Sequence, residues 1–144
     1  MENGQLSRPR TAALSLKAVR ERRPEVGLVS VLKARGTVDA SNAPEFSAAL
    51  AEHVERADIN GEHAVLDMTE VYLASAVAVR SLDRATGSLA FSGRSLPVVQ
   101  PRPHVREMLR LAGLQGVRVH ATMASALNAL EDRRPARPEP GARR

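Results

Sequence analysis

The sequence contains no cysteine and no tryptophan, and its aromatic residues are one tyrosine and two phenylalanines. The lack of cysteine excludes disulfides, thiol redox chemistry and cysteine metal sites. Three aromatic residues are too few to form a platform on which nucleic-acid bases stack. The four histidines have no spacing typical of a metal site, so we expect neither a metal nor a cofactor.

Long apolar runs are also missing. No run approaches the length that spans a membrane, and the first ten residues, MENGQLSRPR, contain no apolar signal core. We therefore expect a soluble, cytoplasmic protein without membrane insertion. A length of 144 residues suits one domain whose core needs no metal or disulfide.

The positive charge is concentrated at the two ends of the chain. Residues 1–24 hold six basic and two acidic side chains, and residues 131–144 hold five and three, which leaves −1 of the total of +5 for residues 25–130. We expect residues 1–11 to be a disordered arm and residues 131–144 to be a disordered basic tail. A nearly neutral central part argues against nucleic acid as a partner.

The motifs of several enzyme classes are absent. The sequence has no phosphate-binding Gly-x-x-x-x-Gly-Lys, no Gly-x-Ser-x-Gly and no Gly-x-Gly-x-x-Gly after a strand. Asp39 and Asp67 are a conceivable acid–base pair, but nothing in the sequence places them in a cleft. We therefore predict that the protein is not an enzyme.

The spacing of apolar residues predicts short strands that alternate with helices along the chain. From residue 12 the order is strand, strand, helix, strand, helix, strand, helix, strand, helix, which is typical of an α/β fold in one domain, residues 12–130. The expected strands are 12–19, 26–34, 64–66, 96–100 and 117–120. Residues 20–25 are expected to form a charged turn, residues 69 and 70 a polar turn, and residues 88–94 a loop.

The helices have recognisable ends. Asn42 is a predicted N-cap, with Glu45 completing a capping box, and Phe46 begins an apolar stripe that must pack on the sheet. Gly113 is predicted to end a later helix, and Thr122 to cap the last one. A further helix is expected from about Ser75 to Thr86, at the end of a buried strand.

Three short motifs follow one another along the chain. Gly36 and Asp39 form a Gly-x-x-Asp motif, Asp67 and Thr69 form an apolar-Asp-apolar-Ser/Thr motif, and Tyr72, Leu73 and Ser75 form part of a third. In this order they resemble the motifs of the STAS domain of the anti-sigma factor antagonists. In that third motif the family's acid, phosphorylated hydroxyl and glycine are replaced by Ala74, Ala76 and Val77. The resemblance implies a mixed central sheet with about four helices chiefly on one face.

The resemblance also implies a partner and a binding surface. The partner would be an anti-sigma factor of the histidine-kinase-like ATPase type, and a homodimer or other STAS proteins are further options. The expected partner-binding residues form two loops, Asp39, Ala40, Ser41 and Asn42 in one, and Ala74, Ser75, Ala76 and Val77 in the other. Asp39 is alternatively a turn aspartate, and Asp67 is expected to be structural.

Ser75 has two interpretations. It is either an N-cap of the following helix or a phosphoacceptor one residue before the family's usual position, where Ala76 has no hydroxyl. We expect an antagonist that frees a sigma factor without the usual phosphorylation switch. The alternatives are an accessory STAS module in a stressosome-like or lipid-transport complex, and a basic nucleic-acid-binding protein.

Overall fold

The computed structural model describes residues 14–133, which form five strands and five helices. The strands are β1 (Ser15–Arg23), β2 (Gly27–Val38), β3 (His63–Leu73), β4 (Leu96–Val99) and β5 (Val117–His120). The helices are α1 (Ala43–Ile59), α2 (Ala76–Ala85), α3 (Gly87–Phe91), α4 (Pro103–Ala112) and α5 (Met123–Arg133). The predicted arm, residues 1–11, lies outside the described residues. So does the predicted tail, except that α5 continues through its first three residues.

The strands form one mixed sheet in the order β1-β2-β3-β4-β5. β1 pairs with β2 antiparallel, and all the other pairs are parallel. Because helices connect the parallel strands, the carboxyl ends of β2 and β3 and the starts of α1 and α2 meet at one end of the sheet. This is the end at which the sequence places its partner-binding loops.

Helices cover both faces of the sheet unequally. A large cluster joins α1, α2, α3 and α4 to one face, and Phe46 and Leu50 at its centre are fully buried. A smaller cluster joins α5 to the other face through Ala126 and valines of β2, β3 and β4. The predicted α/β fold with helices chiefly on one face is confirmed, and the short α3 raises the number of helices to five.

Two predicted turns are part of strands. The charged turn at residues 20–25 is wrong because β1 runs on to Arg23, and Arg22 pairs with Leu28 of β2. The polar turn at Thr69 and Glu70 is also wrong. There β3 contains a bulge, since three steps from Asp67 to Glu70 lie opposite two steps of β2.

The helix ends agree in part with the sequence patterns. Gly113 has φ 62° and ends α4 in the left-handed conformation, and the Thr122 hydroxyl accepts a 3.0 Å hydrogen bond from the Ser125 backbone N–H. Both caps are confirmed. The predicted loop at residues 88–94 is corrected, because α3 occupies its first half.

Candidate functional site

The two predicted partner-binding loops are neighbours. The backbone N–H of Ala74 donates a 3.0 Å hydrogen bond to the carbonyl of Val38, so the pairing of β2 and β3 continues into the residues that follow them. Asp39–Asn42 thus lies beside Ala74–Val77 at the carboxyl end of the sheet. These eight residues are called the loop surface below.

Asp39 organises the first loop as a turn aspartate. Its carboxylate accepts hydrogen bonds from the Ser41 hydroxyl at 2.6 Å, from the Ser41 backbone N–H at 2.9 Å and from the Asn42 backbone N–H at 3.2 Å. The Ser41 hydroxyl is the main reason that the pKa of Asp39 lies below its ordinary value, and the backbone N–H groups add to it. The carboxylate is therefore ionised and holds the loop closed.

Asn42 occupies the N-cap position of α1, but its side chain does not cap the helix. Its Oδ1 accepts a 2.8 Å hydrogen bond from the Asp39 backbone N–H, and its Nδ2 donates to the Thr37 carbonyl at 2.9 Å. The predicted capping box is therefore wrong. The Asn42 side chain stabilises the loop instead, because it ties the start of α1 to the backbone of Thr37 and Asp39 at the end of β2.

Ser75 precedes α2 in an extended conformation and forms no side-chain cap. Its Oγ is buried and has no hydrogen-bond partner among the described residues. The predicted capping role is wrong, since the hydroxyl does not reach the N–H groups of the first turn. A buried hydroxyl is also not directed toward solvent, where a kinase would meet it.

The rest of the second loop is exposed and apolar. Ala74 and Ala76 are exposed, and Val77 keeps 36% of its surface accessible. Ala40 and Ser41 of the first loop are exposed beside them. The loop surface is therefore formed by small side chains, with its one ionised carboxylate engaged in the turn. Because the Asp39 carboxylate and the Ser41 hydroxyl are bonded to each other, this surface offers a small molecule no free acid or base.

Sequence reasoning missed a ring contact near this surface. Tyr72, at the end of β3, lies with its ring centroid 4.4 Å from that of His104 in the first turn of α4. Tyr72 is 51% exposed. The two residues are far apart in sequence, so only the parallel arrangement of β3 and β4 brings them together. An exposed aromatic side chain is enriched in protein interfaces.

Asp67 and Thr69 belong to the bulge of β3. The Asp67 carboxylate accepts hydrogen bonds from the Thr69 backbone N–H at 2.9 Å and from its hydroxyl at 2.6 Å. Asp67 pairs with Lys33, six residues before Asp39, which corresponds to about 20 Å along the sheet. This distance excludes direct proton relay between the two carboxylates, so the conceivable acid–base pair does not form.

Residues 14–133 contain no group of three or more histidine, aspartate or glutamate side chains placed to hold a metal ion. Over the same range, no helix has both the length and the apolar character needed to cross a membrane.

The match to known families covers most of the described chain. Residues 22–125 match the family model described as "Mlab, STAS domain". The chain belongs to the STAS domain family. No curated protein sequence matches it.

Three solved structures share the fold. An anti-sigma factor antagonist from Mycobacterium paratuberculosis is 26% identical, with a TM-score of 0.61, and the match covers 82% of this chain and 96% of that one. The protein TM1081 is 17% identical, with a TM-score of 0.57 and coverage of 90% and 98%. Unphosphorylated SpoIIAA, an anti-sigma factor antagonist, is 15% identical, with a TM-score of 0.55 and coverage of 83% and 97%. The resemblance to the antagonist family that the motifs indicate is confirmed.

Proposed function

We propose that this STAS protein is an anti-sigma factor antagonist that binds a kinase-type anti-sigma factor through the loop surface. By occupying that partner it frees a sigma factor and switches on transcription. The protein acts in the cytoplasm by binding alone, so no covalent bond in it is made or broken. The similarity to the mycobacterial antagonist supports the class of partner.

One observation carries the proposal for this surface: an exposed apolar helix start stands where the family places its phosphorylated hydroxyl. Ala76 has no hydroxyl, and the Oγ of Ser75 is buried. In the family, a phosphate at this position separates the complex through charge repulsion and desolvation. Without a phosphate at this position, the affinity of the protein for the anti-sigma factor stays constant. The amount of protein, and not its phosphorylation, then controls how much sigma factor is free.

Calorimetric titration with kinase-type anti-sigma factors from the same genome tests the proposal. Ala76→Asp places a carboxylate at the position that a phosphate would occupy. We expect tight binding by the natural protein and at least about 100-fold weaker binding by the variant, since a buried unpaired charge costs several kcal/mol.

The matched control is Ala124→Asp. Ala124 is exposed and lies in the first turn of α5, on the other face of the sheet, so the variant adds the same charge to a similar helix start. Binding must survive this change. Equal losses in the two variants, or no binding by the natural protein, would contradict the proposal for the loop surface.

Incubation with the anti-sigma kinase and ATP tests the proposal that the protein is not controlled by phosphorylation. Intact mass should show no added phosphate. One phosphate that disappears in Ser75→Ala would show that the helix start opens far enough for modification, and the proposed absence of a switch would be wrong.

An accessory STAS module is a second candidate because the molecule has exposed apolar residues far from the loop surface. Ile59 is 77% exposed at the end of α1, and Phe91 is 95% exposed at the end of α3. Both helix ends lie at the opposite end of the sheet, and a scaffold needs two such surfaces. A large, stable complex on a sizing column without release of a sigma factor would favour this function.

A further inference from the structure

Beside the loop surface, a groove runs between α1 and α2. It encloses about 240 Å³ and is lined by small side chains and two arginines. Ala43, Ser47 and Ser81 form its buried part, and Val77 continues it into the loop surface. Small side chains between two helices let a third element approach closely, as they do where helices pack against each other.

Arg80 and Arg84 line this groove from one side of α2. They are four residues apart, so they project from the same face of the helix, and both are exposed. Neither forms an ion pair with any described residue. Six of the other described arginines pair with a carboxylate, namely Arg20, Arg23, Arg35, Arg56, Arg94 and Arg110, whereas Arg22, Arg102, Arg106 and Arg118 also form no ion pair with a described residue.

The carboxylates nearby do not neutralise the groove. Asp83 is the one acidic residue of α2, and within the described chain it forms no ion pair with Arg80 or Arg84. On α1, Glu45 adjoins the groove residue Pro44 and forms no ion pair with a described residue, and Glu52, farther along the helix, is engaged by Arg56. Arg80 and Arg84, beside a floor of small side chains, thus form no ion pair with any described residue.

We propose that this arginine groove receives an acidic amphipathic segment of the anti-sigma factor. Apolar side chains of that segment pack on Ala43 and Val77, and its carboxylates pair with Arg80 and Arg84. The inference rests on the proposed function and adds the chemistry of the partner. Guanidinium groups bind carboxylates through two parallel hydrogen bonds, which fixes the direction of the segment as well as its charge.

Charge reversal separates this inference from the proposed function. With an anti-sigma factor that binds the natural protein, Arg80→Glu with Arg84→Glu should weaken binding by about 10-fold or more and slow association, with a smaller effect at high salt. Arg80→Lys with Arg84→Lys should retain most of the association rate. Arg22→Glu with Arg118→Glu, at exposed positions of the two edge strands, makes the same change in net charge and should leave binding nearly unchanged.

The outcomes are distinct. If Ala76→Asp abolishes binding while the groove variant behaves like the edge-strand control, the arginine groove is wrong and the loop surface stands. If neither variant weakens binding, both proposals are wrong. If the natural protein forms a dimer that the groove variant disrupts, the occupant is a second copy of this chain, and the acidic segment is wrong.

A probe without the anti-sigma factor gives an independent answer. A 14-residue amphipathic peptide, with glutamates four residues apart on one side and leucines on the other, is titrated into the full chain labelled with ¹⁵N. We expect amide shifts confined to residues 43–47 and 77–84, and none with the peptide in which lysine replaces glutamate. Shifts spread over all exposed arginines, or no shifts, would overturn the inference.

Discussion

Gly116 lies so close to Thr86 that a side chain at position 116 has no room. A Cβ there would stand 2.5 Å from the carbonyl oxygen of Thr86 and 2.6 Å from its hydroxyl oxygen. Thr86 is fully buried, and its hydroxyl donates a 2.8 Å hydrogen bond to the Leu82 carbonyl. The contact joins the end of α2 to the segment that leads into β5.

Gly116→Ala should therefore lower the free energy of unfolding by about 1–3 kcal/mol, the usual cost of forcing an extra group into a packed interior. Urea denaturation measures the change. Gly87→Ala is the matched control, because a Cβ at Gly87 meets no atom within 4 Å. A control as destabilising as Gly116→Ala would show that loss of the glycine backbone, and not the contact with Thr86, is responsible.

Ser75→Ala should leave the protein as stable as before or stabilise it by about 1 kcal/mol. The Oγ of Ser75 is buried without a hydrogen-bond partner among the described residues, so its removal relieves a desolvation cost. Loss of a true N-cap would instead destabilise the protein by about 1 kcal/mol. Urea denaturation distinguishes the two signs, and Thr122→Ala, which removes an observed cap, supplies the destabilising reference.

At acidic pH the loop at Asp39–Asn42 should lose the hydrogen bonds that the Asp39 carboxylate accepts. Because hydrogen bonds lower the folded-state pKa of Asp39 below the ordinary 3.8, its contribution to stability is complete above pH 3.8 and is lost as the pH falls through the lower value. Carboxyl ¹³C NMR measures the titration directly. Ser41→Ala should raise the pKa of Asp39, since the Ser41 hydroxyl is the main cause of the shift. Ser88→Ala, at an exposed site on α3, removes the same hydroxyl group elsewhere and should leave the titration of Asp39 unchanged.

Arg20→Ala should lower the free energy of unfolding by about 1–3 kcal/mol, because it leaves a buried carboxylate without its partner. Arg20 of β1 pairs with Glu62, whose side chain is only 2% exposed. Adding Glu62→Gln to Arg20→Ala should recover part of the loss, since the unpaired charge is then gone. If the double variant is less stable than Arg20→Ala, the burial of the charge is not what determines the effect.

Sequence patterns predicted the elements that depend on local periodicity. The stripe of α1 beginning at Phe46, the left-handed end of α4 at Gly113 and the cap at Thr122 all involve residues within one or two helical turns. Such signals need no knowledge of the rest of the chain, which is why the order of strands and helices was predictable.

The features that the sequence did not predict depend on contacts between residues distant in sequence. Arg22 belongs to a strand because Leu28 and its neighbours pair with it, and this pairing outweighs the turn propensity of a charged segment. The direction of the Ser75 hydroxyl and the contact of Tyr72 with His104 follow from the packing of the helices on the sheet. The family resemblance placed the two loops side by side, and they are neighbours in the structure, whereas the orientation of their side chains could not be predicted.

Because of the bulge at Asp67–Glu70, an odd or even number of residues in β3 decides which of its last side chains face the core. Met68 within it and Val71 and Leu73 after it all face the larger cluster, although Met68 and Val71 are three residues apart. Without the bulge, strict alternation from Met68 would turn Tyr72 inward and Leu73 outward. With the bulge kept, gain or loss of one residue elsewhere in this strand would exchange the inside and outside of its last residues, whereas a change of two would preserve them.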